Sequence, residues 1–181
     1  MCGDLVFGGH PTISPLALQR AGIHFSREVA DDRRVLIYQS EFFEKVIPLA
    51  AKQIADSPFA TLVRTAAQSD ETSQEAEQKS LLFMRKHMIL DTKPLAAVFI
   101  GGMEGIEEEY RLCAELSPET KRYLIGAPGG AARLLLRDYL AVSASDSATL
   151  SELLASSRLY PYLMSQIAED LISSLSHQPL Q

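Results

Sequence analysis

A chain of 181 residues, 46% of them hydrophobic, can bury one sizeable core and needs no second domain. Its 17 basic and 23 acidic residues leave a net charge of −6, with no basic run longer than a dipeptide, which excludes general nucleic-acid binding by phosphate neutralisation. Two distant cysteines, Cys2 and Cys113, exclude a disulfide framework or zinc site; without a secretory signal or a bilayer-length apolar run, the expected location is the cytoplasm, with no membrane partner.

In chain order, Leu5-Val6-Phe7 is a short apolar strand that stops at Gly8-Gly9-His10. Pro11 and Pro15 suit a loop and the first turn of a helix, with Ser14 as its N-cap, Leu16, Leu18 and Ala21 as its apolar positions and Gly22 as its end. Val35-Leu36-Ile37-Tyr38 reads as a second strand, continuously apolar as a strand covered on both faces must be, with Gln39 and Ser40 at its carboxyl end. Residues 41–54 have helical spacing, kinked or divided at Pro48. Residues 60–65 form a third strand. The polar, acidic run 68–78 reads as a mobile loop in the position of a lid. The helix that follows carries Met84, Arg85 and Lys86 and closes at Lys93-Pro94.

The fourth strand, Leu95-Ala96-Ala97-Val98-Phe99-Ile100, ends in Gly101-Gly102 and opens at once into a helix bearing Met103, Glu104, Gly105, Glu107, Glu108 and Glu109. A strand that passes through paired glycines into a helix leaves backbone N–H groups uncovered where phosphate binds. Tyr123-Leu124-Ile125 is a fifth strand, followed by Gly129-Gly130 and a helix over 131–140 carrying Arg133. Two more helices are expected within 143–157 and over 162–175, with 176–181 as a frayed tail. This alternation predicts an α/β fold: a Rossmann-like three-layer sandwich with a mostly parallel sheet of about five strands. The three glycine pairs then lie at strand carboxyl ends and converge on one crevice.

Met84-Arg85-Lys86-His87-Met88, a strand, and then Gly101-Gly102-Met103-Glu104-Gly105-Ile106-Glu107-Glu108 resemble the paired signature of the Lonely Guy phosphoribohydrolases. Val6-Phe7-Gly8-Gly9 resembles their earlier glycine loop. With Gly129-Gly130-Ala131-Ala132-Arg133 the pattern looks most like the wider SLOG superfamily, which includes the DNA-processing protein A fold, and within it the sensor domains of prokaryotic conflict systems. The resemblance implies a single nucleotide-binding domain over 1–181. Arg85 would hold ribose or phosphate and assist departure of the base, and Glu108 would activate water or steady an oxocarbenium-like sugar. Gly8, Gly9, Gly101 and Gly102 would cradle phosphate, with His10, Ser40, Lys86, Met103, Glu104, Gly105, Gly129, Gly130 and Arg133 as further ligand contacts.

Against the family pattern, Ile100 replaces proline, Glu104 a glycine and Gly105 a threonine. A carboxylate at 104 disfavours a phosphate beside it, which weights the reading toward a sensor of a nucleotide-derived signal over a hydrolase giving free base and ribose 5-phosphate. The first glycine loop starts after five residues, whereas such a sheet has a strand and helix before it; either the fold is trimmed or the chain begins late, and in both cases pairing with a second copy would be one way to cover an open strand edge. The partners implied are a nucleotide-type small molecule, a homo-oligomer and a separate effector; no metal or cofactor is implied. Simpler readings stand beside these. Glu107, Glu108 and Glu109 suit any helix start, Gly129-Gly130 suits a tight turn, Arg133 could pair with Asp138, and Cys113 belongs on an apolar helix face.

Overall fold

The computed structural model describes residues 4–10, 13–25, 35–43, 59–69, 71, 73–142, 148–157 and 159–176. The chain folds as two compact units, Met1–Thr92 and Lys93–Gln181. No helix among the described residues is long and apolar enough to cross a membrane.

In the first unit, β1 (Leu5–Gly8), β2 (Val35–Ser40) and β3 (Ala60–Thr65) form a parallel sheet with β2 in the centre. The continuous apolar character of β2 matches its burial on both faces, and alternation of side chains assigns each face a helix. Val35 and Ile37 pack with Leu18 and Ala21 of α1 (Ile13–Phe25), joined by Phe7 and Leu62, which share the register row of Ile37. Tyr38 faces the other way, and its hydroxyl makes a long 3.5 Å hydrogen bond to Asp91 of α2 (Gln74–Thr92).

Both helices differ from their expected limits for local reasons. Helix α1 continues through Gly22 to Phe25, because that glycine makes room for the Phe59 ring, 3.2 Å from where a Cβ would stand, and does not stop the helix. Its cap is His10, whose Nδ1 accepts from the Ile13 N–H at 3.4 Å. Ser14 lies inside the helix, its Oγ accepting from the His10 N–H at 2.8 Å. Helix α2 begins at Gln74, so the second half of the expected loop is helical. Ser73 caps it: its Oγ accepts from the Ala76 N–H at 3.2 Å, and its carbonyl accepts from the Glu77 N–H. Of the helix expected over 41–54, only a 3₁₀ turn at Glu41–Phe43 lies within the described residues.

In the second unit, β4 (Ala96–Ile100) and β5 (Lys121–Ile125) pair in parallel. They are accompanied by α3 (Glu104–Leu116), α4 (Gly130–Val142), α5 (Ala148–Ser156) and α6 (Tyr160–Ser176). Phe99 meets the Tyr110 ring of α3 edge-on at 5.4 Å, and the Arg122 guanidinium lies 5.9 Å from the same ring. Cys113 is buried on α3, and burial pushes its thiol up, as befits a core side chain.

The opposite face of β5 is tied to α6 through Asp170. Its Oδ2 accepts from Lys121 Nζ at 2.7 Å and from the Tyr123 hydroxyl at 2.6 Å, and Lys121 also donates to Ser174. Burial raises the Asp170 carboxyl, but the bonds from Lys121 and Tyr123 and the Lys121 charge together outweigh it and hold the group below its ordinary value. Stability from a depressed carboxylate is present above its unfolded value, about 3.9, and is lost as pH falls through the lower folded value. Asp170→Asn is therefore expected to flatten the acid limb of a urea-unfolding series. The effect is under about 1 kcal/mol because both partners of the ion pair are more than a third exposed. An acid limb as steep as wild type would show that Asp170 does not carry this dependence.

All five strands are parallel to their partners, but they do not form one five-stranded sheet. The ladders close as three strands and two, with β1 bonded only to β2 and β4 only to β5 among the described residues. Apolar runs and glycine stops record burial and turns, whereas a ladder needs backbone groups of two strands brought within about 4.8 Å of each other, which no run of residues specifies by itself.

Candidate functional site

In the second unit, two glycine pairs meet at the carboxyl ends of β4 and β5. Gly101 and Gly102 both take positive φ, 61° and 74°. This turns their carbonyls onto the start of α4: the Gly102 oxygen accepts from the Ala131 N–H at 2.9 Å and the Gly101 oxygen from the Ala132 N–H at 3.0 Å. A Cβ on Gly102 would overlap the Ile106 side chain, and one on Gly130 (φ 68°) would stand 2.5 Å from the Gly102 oxygen. Gly129 closes a turn, its N–H donating to the Gly126 carbonyl at 2.9 Å.

These bonds sort the amides of the site. The first N–H groups past Gly130 are already paired with the other glycine turn, so a ligand does not find them open. Helix α3 is different: Met103 at its N-cap makes no side-chain hydrogen bond to the first turn and is 83% exposed. Its amino-terminal end carries the partial positive charge of the helix, with Glu104 and Glu107 in the first turn opposing it. Gly105 and Glu108 are half-buried on the same helix. Arg133 is exposed, but its guanidinium is held by the backbone: its Nε donates to the Gly126 carbonyl and its Nη2 to the Ala127 carbonyl, each at 2.8 Å. Asp138 pairs instead with Arg137, at 3.1 Å.

In the first unit, Gly8 ends β1 beside Met84 of α2, whose Cε lies 3.4 Å from where a Cβ on Gly8 would stand. Gly9 donates its N–H to the Tyr38 carbonyl at 2.7 Å, which clips the turn to the end of β2, and exposed His10 caps α1 beside it. Ser40 is fully buried, its Oγ accepting from the Phe42 N–H at 3.3 Å. Arg85 is half-buried and Lys86 exposed on α2. Arg85 thus belongs to the first unit and Glu108 to the second.

Two further groups at the sheet's carboxyl end were not among the expected contacts. Gln39 and Thr65 are 4% and 7% exposed, and Gln39 Nε2 and Thr65 Oγ1 have no hydrogen-bond partner among the described residues. A polar residue terminating an otherwise apolar strand, as Gln39 does after Tyr38, was the available signal.

A family model described as the SLOG cluster3 family matches residues 1–157. No curated protein and no solved structure matches the chain.

Proposed function

The chain belongs to the SLOG cluster3 family, and from that membership we propose that it is a sensor domain for a nucleotide or nucleotide-derived signal in antiviral defence, acting as a homo-oligomer on a separate effector. Family membership supports a nucleotide-related function at a coarse level; the sensing role, the oligomer and the effector are the proposal. The observation that carries it is the turn between β4 and α3. Two left-handed glycines at a strand's carboxyl end lead into a helix whose first turn lacks a side-chain cap, the arrangement in which backbone N–H groups receive an anion. Glu104 at that start argues for a ligand shaped otherwise than a simple 5′-monophosphate. Ligand binding would act by unequal affinity for two states of the assembly.

The test is a thermal-shift screen with nucleoside monophosphates, ADP-ribose and cyclic nucleotides, paired with chromatography of each mixture. A ligand at a hundred times its Kd should stabilise the fold by about 2.7 kcal/mol without being consumed. Release of adenine from AMP, lost in Glu108→Gln, would identify a phosphoribohydrolase and overturn the sensor reading. No shift and no product with any of these compounds would end the nucleotide reading.

A further inference from the structure

Resting on the nucleotide-related reading of the family, we propose that Gln39 is the side chain with which the glycine turn of the first unit, taken by itself, recognises the uncharged, nucleoside part of a nucleotide. Gln39 stands one residue before the end of β2, at the edge where parallel sheets take their ligands. Its carboxamide lies against the turn: a Cβ on Gly9 would be 3.3 Å from Gln39 Oε1 and 3.5 Å from Gln39 Cβ. Residues that serve only to fill space are apolar, and a carboxamide with an unused donor is a costly filler.

Three other buried polar side chains among the described residues of the unit do not share this state. The Oγ of Ser14 accepts from the His10 N–H, that of Ser40 from the Phe42 N–H, and that of Ser80 from the Gln68 N–H. Thr65 does share it, but its register partner is Ser40, which places it on the face of the sheet opposite Gln39 and away from Gly9. Thr65 is therefore an internal comparison for the same chemical defect without the glycine turn.

Charge decides which part of the ligand Gln39 meets. Among the described residues of this unit, the buried polar side chains, Ser14, Gln39, Ser40, Thr65 and Ser80, are all neutral. A desolvated phosphate with a charge near −2 calls for charge-assisted bonds. One neutral amide donor suits a ring nitrogen, a base carbonyl or a ribose hydroxyl, and the carboxamide can donate and accept at once. Because Nε2 is sealed from solvent, the ligand must displace what now covers it.

Calorimetric titration of the full chain with AMP, GMP, CMP and UMP and with the four matching nucleosides tests this. Gln39→Met, and Gln39→Asn as a variant that keeps the amide but retracts it, should bind about tenfold more weakly, the loss of one neutral hydrogen bond. The loss should be equal for nucleotide and matching nucleoside, with melting temperatures no lower than wild type for Gln39→Met. Thr65→Val should bind as wild type does. Unchanged affinity in both Gln39 variants, a loss confined to the nucleotides, or an equal loss in Thr65→Val would each overturn the role of Gln39 and leave the nucleotide reading standing. Wild type that binds none of the eight compounds overturns the role of Gln39, and only if the thermal-shift screen with ADP-ribose and cyclic nucleotides is also empty is the nucleotide reading overturned with it.

Discussion

Gly130→Ala is expected to destabilise the second unit by about 3–5 kcal/mol, among the largest effects a single methyl group can have. The added carbon would stand 2.5 Å from the Gly102 oxygen, 2.8 Å from the Gly101 carbonyl carbon and 3.0 Å from the Gly102 nitrogen. All three are backbone atoms, so no rotamer change relieves the clash. The φ of 68° at Gly130 adds the left-handed penalty of about 1–2 kcal/mol. Separation of the two turns would also break the bonds from Ala131 and Ala132 to the Gly102 and Gly101 carbonyls. Gly101→Ala isolates the conformational part. Its φ is 61° but no heavy atom lies within 4 Å of the added carbon, so it should cost only about 1–2 kcal/mol. Urea-unfolding midpoints of the two variants measure the difference; equal midpoints would mean that the two glycine turns are not in contact.

Ile37→Ala should be the second large loss, about 2–5 kcal/mol. Ile37 is fully buried in the central strand, flanked in register by Phe7 and Leu62 and covered by Leu18. Truncation leaves a cavity that strands on either side, held by ladder bonds, cannot collapse to fill. The consequence reaches the candidate site, because α1 and its His10 cap rest on this face and Gly9 is tied to the same strand through the Tyr38 carbonyl. Leu16→Ala on the same helix is the control: at 60% exposure it should change stability by no more than about 0.5 kcal/mol. A loss below about 1 kcal/mol for Ile37→Ala would contradict the close packing described for this face.

The amino-acid sequence determined a good deal here. Each strand was legible in the sequence, four of them from apolar runs, and Gly8 and Gly101 fell at or just past strand ends because turns and strand stops are decided by a few adjacent residues. Cys113 was legible as core from helical spacing. What misled was a local signal with a distant cause: Gly22 resembles a helix stop until the Phe59 ring is seen against it, and Ser14 resembles a cap until its hydroxyl is found reaching back to His10. The tertiary structure alone decided that five strands bond as three and two, that the Arg133 guanidinium is held by the Gly126 and Ala127 carbonyls, and that the amides of Ala131 and Ala132 serve the neighbouring glycine turn. It alone decided, too, that Gln39 Nε2 finds no acceptor among the described residues. Each of these depends on which donor meets which acceptor across the fold, and a hydrogen bond requires approach within about 3.5 Å; propensity and periodicity act along the chain and carry no such distance.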